Sequence, residues 1–155
     1  MQIGSRVEPF IDRYLIARVE RLELKMHAPQ LAPALPAPTR GHYVTVIKDG
    51  EIYRIYYRDY IAGYKGPYEE GNPGEITCYG ESRDGHHWKY PRLNLYDAHG
   101  TDGNNIILAG ESPFSHNFSP FLDTRPGVPD YERFKALAGI YGDGNGGLFA
   151  FVSGD

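Results

Sequence analysis

Three acids stand where the chain is expected to turn or to end a strand. Asp59 follows Arg58 directly, Glu81 sits beside Ser82, and Asp123 closes the run Phe121-Leu122. Carboxyl groups so placed have the chemistry of glycoside hydrolysis. That reaction needs one proton donor and one nucleophile or base on opposite sides of the scissile bond. Each acid also has a structural use: a turn cap for Asp123, a solvated edge for Asp59, and a hydrogen bond between adjacent sheet units for Glu81.

Arg40, His42, Arg58, His116 and Asn117 suit binding better than bond-breaking. A guanidinium forks to hydroxyls or carboxylates, and an imidazole donates or accepts near neutral pH. Pinning one sheet unit to another is the competing use of the same residues. On a full-length protein, Arg58→Ala or His116→Ala is expected to weaken oligosaccharide binding and leave folding intact. His86-His87 resembles a metal pair, but adjacent residues of a strand point to opposite faces. Two Gly-rich acidic loops, 97–105 and 143–147, read as ordinary turns. The second lacks the glycine a calcium loop needs at its sixth position, where Leu148 stands. No metal and no cofactor is expected. Trp88 and the tyrosines could stack on sugar faces, although aromatic packing is their commoner use.

The elements that must hold these groups are strands. The 155 residues include 13 Tyr, 7 Phe and 19 Gly, a bias toward strands and tight turns. A net charge of -4 with mixed signs offers no basic stripe, which argues against a nucleic-acid partner. Cys78 is the only cysteine, so an internal disulfide and a multi-cysteine zinc site are excluded. The first dozen residues lack the apolar run of a signal peptide, and no stretch is long and apolar enough to span a membrane. A cytoplasmic location is expected if the N-terminus is genuine; otherwise the location stays open.

Along the chain, residues 10–16 read as strand or short helix, and Leu22, Leu24 and Met26 alternate with charged residues as a strand does. Prolines at 29, 33, 36 and 38 mark an extended connection. From Tyr43 the pattern sharpens. Residues 43–47 and 52–57 flank an Asp-Gly turn, a strong hairpin signal. Residues 76–82 and 86–89 follow, giving an expected four-stranded antiparallel meander. Residues 104–108 are expected to open a second unit that continues through 118–122, 132–137 and 147–153. Ser153-Gly154-Asp155 lies 71 residues beyond Ser82-Arg83-Asp84 and matches it, a divergent repeat.

Several segments resemble the five-bladed, glycosyl-hydrolase-like propellers of the family 32/43/68 type. They are residues 10–16, Tyr53 to Arg58, Ser82-Arg83-Asp84-Gly85-His86-His87-Trp88 with Pro91, Asp102 to Leu108, His116 to Asp123, and Glu132 to Gly139. The resemblance implies an all-β chain carrying about two four-stranded antiparallel blades of a five-bladed ring. It divides the chain into a strand and proline-rich connection at 1–38, a first blade at 39–100 and a truncated second blade at 101–155. Remaining blades would then be its partners. A complete two-sheet sandwich is the rival architecture.

The resemblance also implies an oligosaccharide ligand at the propeller axis and catalytic acids near the starts of inner strands. The segments ahead of those strands, 39–42 and 115–117, hold no carboxylate, leaving Asp59, Glu81 and Asp123 in reserve. The alternative function is a sugar-binding or scaffold propeller without catalytic acids.

Overall fold

The computed structural model describes residues 4–5, 9, 11–31, 37–97, 103–111, 113–140 and 147–155. The chain divides into two units, Met1–Ala34 and Leu35–Asp155. In the first, the described residues form turns and bends only. Leu22, Leu24 and Met26 are exposed and belong to no strand. Their alternating pattern meets no partner strand, and a lone strand leaves its backbone groups to water. Local bonds such as Tyr14 N–H to Asp12 Oδ1 (2.8 Å) organise the segment instead. Phe10 lies outside the described residues.

The described residues of the second unit are all-β apart from one turn of 3-10 helix at Asp130–Glu132. Its first sheet orders β1 (His42–Asp49), β2 (Ile52–Tyr60), β3 (Glu75–Ser82) and β4 (Trp88–Lys89) as an antiparallel meander. Gly50, at φ 59°, makes the β1–β2 turn possible without a Cβ clash. The fourth strand is shorter than 86–89, because His86 and His87 belong to the preceding turn. There Asp84 Oδ1 accepts both their N–H groups, and His87 Nδ1 meets Asp84 Oδ2 at 2.7 Å. With only two residues, β4 covers Glu81–Ser82 and leaves the rest of that edge of β3 open. A further strand, β5 (Ile106–Leu108), fills it by pairing with Thr77 and Cys78. The strand expected to open the second unit therefore joins the first sheet.

The second sheet orders β6 (Ser119–Leu122), β7 (Phe134–Ala138) and β8 (Phe149–Ser153), again antiparallel. Neither sheet closes on itself.

Strand alternation sorts the core into two clusters. On one face of the first sheet Ile55, Tyr57, Ile76 and Cys78 pack with Ile106, under Trp88, Tyr96 and Ala109. On the other face Ile47, Tyr56 and Tyr79 pack against Phe134 of the second sheet, with Leu122 of β6 and Phe118 just before it beside them. The second sheet thus covers one face of the first.

The repeat extends to register. Tyr53 faces Ser82 in the first sheet as Phe134 faces Ser153 in the second. Ser82 Oγ donates to Asp84 Oδ1 and accepts from Asp84 N–H; Ser153 Oγ does the same with Asp155. Asp49 accepts from Arg54, and its counterpart Asp123 accepts from Lys135, the counterpart of Arg54.

Candidate functional site

The ends of several strands meet at one corner of the second unit. His42 opens β1 and pairs across to Arg58 near the end of β2. Glu75 opens β3, and His116 and Asn117 immediately precede β6. Their side chains alternate with the strands, so Arg58, Glu75 and Thr77 share the face that the second sheet approaches.

Arg58 and His116, both expected to bind a ligand, do come together: Arg58 Nη1 lies 2.6 Å from His116 Nδ1. A third residue completes the group. Glu75, with its side chain 1% exposed, brings its carboxylate oxygens to 3.0 and 2.9 Å from the same nitrogen and to 3.6 Å from Arg58. Gly71 N–H also reaches Nδ1, at 3.2 Å. One nitrogen cannot serve all of these. Unprotonated, it accepts from Arg58 and Gly71; protonated, it donates to Glu75. Asn72 Nδ2 gives Glu75 a further donor at 3.3 Å. The cluster ties β2, β3 and the approach to β6 into one corner.

Above it sits Tyr43. The register of β1 slips between His42 and Thr45, and Tyr43 takes φ 51°, a conformation rare for an aromatic residue. The bulge turns the ring over Arg58, whose guanidinium carbon lies 4.4 Å from the ring centroid, and the residue stays 59% exposed. Gly41 allows the approach, because a Cβ there would stand 2.5 Å from the Arg58 carbonyl oxygen. Close by in the chain, the loop after β2 carries Tyr64 and Tyr68, which cluster with Tyr60 at centroid separations of 5.1 to 6.4 Å.

The other expected binding residues are more peripheral. Arg40 and His42 have exposed side chains. Asn117 Nδ2 donates to the Gly139 carbonyl at 3.3 Å, tying the start of β6 to the end of β7.

The three acids do not converge. Asp59 is exposed, lies on the sheet face opposite to Arg58 and Glu81, and accepts from Tyr60 N–H. Asp123 is buried and receives hydrogen bonds from Arg125 and Lys135, which hold its carboxyl below the usual carboxylate range. A carboxyl so held does not donate a proton near neutral pH. Glu81 accepts from the Tyr79 hydroxyl at 2.7 Å and lines a cavity between the sheets, with no bond from one sheet to the other. Tyr79 in turn accepts from Arg54 at 2.8 Å; burial and the neighbouring Glu81 push its hydroxyl pKa up.

Sequence reasoning passed over Glu75 and Tyr43. An acid directly after the turn residues Asn72-Pro73-Gly74, opening a run of β-branched and aromatic residues, was the available signal for Glu75. Tyr43 reads as an ordinary strand residue until the bulge is seen. Among the described residues, no group of three or more His, Cys, Asp or Glu side chains is arranged to hold a metal ion. The loop at 143–147, expected to be an ordinary turn, falls almost wholly outside the described residues, as does much of the one at 97–105. No family model, curated protein or solved structure matches the chain.

Proposed function

We propose that this chain forms part of a β-propeller of the glycosyl-hydrolase-like kind and contributes to binding an oligosaccharide at the mouth where its inner strands begin. The observation that carries the reading is the equivalence of the two sheets. The face of the first sheet that the second covers presents Ile47, Arg54, Tyr56, Tyr79 and Glu81. Their counterparts by register are Phe121, Lys135, Leu137, Ala150 and Val152. Of these Phe121, Leu137 and Val152 are exposed, at 48%, 45% and 59%. A face that accepts the next sheet in one repeat is bare in the following one, as serial stacking of blades requires.

The mouth suits a sugar. Tyr43 offers an exposed ring braced from beneath by Arg58, and His42 and Arg40 supply polar groups beside it in the chain. Binding without cleavage is favoured over hydrolysis within these residues. Asp59 and Glu81 occupy opposite faces of one sheet and Asp123 is held by two cations, so no pair of the three is set to flank a glycosidic bond.

Saturation-transfer NMR against a panel of oligosaccharides, with product analysis of the same mixtures, tests the reading. Expected are ring-proton contacts to Tyr43 that vanish in Tyr43→Ala, with no sugar released. If no member of the panel binds, the carbohydrate reading falls.

A further inference from the structure

A cavity of about 530 Å3 lies between the facing sides of the two sheets, away from the mouth. Tyr56, Tyr79, Phe118, Phe134 and Phe151 supply its aromatic walls. Tyr56 and Tyr79 meet at a tilted angle 5.3 Å apart, and Phe118 and Phe151 meet edge-on at 6.1 Å. These walls already receive a cation: the Arg54 guanidinium stands 5.2 Å from the Phe134 centroid.

Four charged residues border the space: Arg54, Lys135, Glu81 and Asp155. Both cations are committed. Arg54 is paired with Asp49 at 3.0 Å and Lys135 with Asp123 at 2.7 Å. Asp155 is tied to the Ser153 hydroxyl at 3.2 Å. Glu81 differs from them. One of its oxygens takes the Tyr79 hydroxyl, and no Lys or Arg among the described residues forms an ion pair with it. Of its two cross-strand neighbours, Lys89 forms no pair with it and Arg54 is joined to it through the shared Tyr79 hydroxyl.

The repeat separates structure from function here. The Asp49–Arg54 pair recurs as Asp123–Lys135, so the architecture accounts for it. Tyr79 and Glu81 do not recur; Ala150 and Val152 stand in their places. A sheet of this register therefore forms with small or apolar residues at these two positions, and the phenol and carboxylate are not needed to build its strands.

We propose that this cavity binds an organic cation, with an ammonium group against Glu81 and an apolar or aryl body among the rings. A carboxylate with no direct ion pair, set in aromatic walls, favours a positive and weakly hydrated guest over a neutral one of the same shape. The inference stands apart from the carbohydrate reading, since the two use different residues.

The test compares 4-hydroxyphenyltrimethylammonium with 4-tert-butylphenol, which match in shape and differ in charge. Calorimetric titration of the intact chain should show the ammonium compound binding about tenfold more tightly. Glu81→Gln should remove that preference and leave the phenol unchanged. Phe151→Leu, which deletes a wall ring while keeping apolar bulk, should weaken the ammonium compound more than the phenol. Equal affinities, failure of both compounds to bind, or an ammonium preference that survives both substitutions would overturn the proposal.

Discussion

Asp49 and Asp123 hold the same place in successive sheets, each accepting hydrogen bonds from a cation set diagonally to it across the hairpin. They differ in the second donor. Asp49 takes Arg133, which directly precedes β7 of the next sheet, at 2.7 Å, whereas Asp123 takes Arg125 from its own turn. Burial pushes the Asp49 pKa up, but bonds from Arg54 and Arg133 outweigh it and leave the group below its ordinary value. The same position thus joins two sheets in one repeat and is closed locally in the other.

Asp123 should act as a structural anion. Its pKa is lowered in the folded state, so the stability it contributes is complete above the unfolded value, about 4, and is lost as pH falls through the folded value. Asp123→Asn should melt about 5 °C below the parent at pH 7. The gap should narrow progressively below about pH 4. Melting curves between pH 2 and 7 measure this; a gap independent of pH would refute the assignment.

His116 is 5% exposed and lies against a buried carboxylate, so the expectation that His116→Ala leaves folding intact gives way to a different one. Removing the ring strips Glu75 of a partner and leaves a void, a cost of about 2–4 kcal/mol. Urea denaturation of His116→Ala should show that loss, with His116→Gln recovering part of it.

The exposed face of the second sheet should drive self-association of the isolated chain. Leu137→Glu and Val152→Lys, which place charges on that face, should shift sedimentation toward monomer without lowering the melting temperature. Unchanged association would locate the contact elsewhere.

Cys78 is buried in the first sheet, and burial pushes its thiol up to about 12. The thiol should stay protonated and closed to reagents from pH 6 to 9. Native protein should label with a disulfide reagent only as fast as it unfolds, and denatured protein at once. Rapid labelling of the native form would contradict the packing.

The first hairpin and the three long strands were legible because Asp-Gly and alternating β-branched residues report backbone geometry locally. The Ser-x-Asp turn at 82–84 and its echo at 153–155 were legible for the same reason. Partnership was less so. Residues 104–108 carry a strand pattern, but which sheet they join depends on β4 being too short to cover β3, and no local pattern records that. Leu22 to Met26 alternate correctly but belong to no strand among the described residues. In the candidate site, Arg58 and His116 were found as polar residues at strand ends. Glu75 was missed because its partners arrive from 58 and 116, far away along the chain, and Tyr43 because a bulge re-aims it.

The divided edge of β3 has a directional consequence. β4 occupies one stretch and β5 another, and between them Asn105 bridges, its carbonyl accepting from Tyr79 N–H and its side-chain amide donating to the Tyr79 carbonyl. An incoming strand therefore finds few open backbone groups on that side. Strand addition to the first sheet, whether by a peptide or by a misfolded neighbour, meets an eight-residue edge at β1 but only strands of two and three residues on the β4–β5 side, so among the described residues growth of this sheet is biased to one direction.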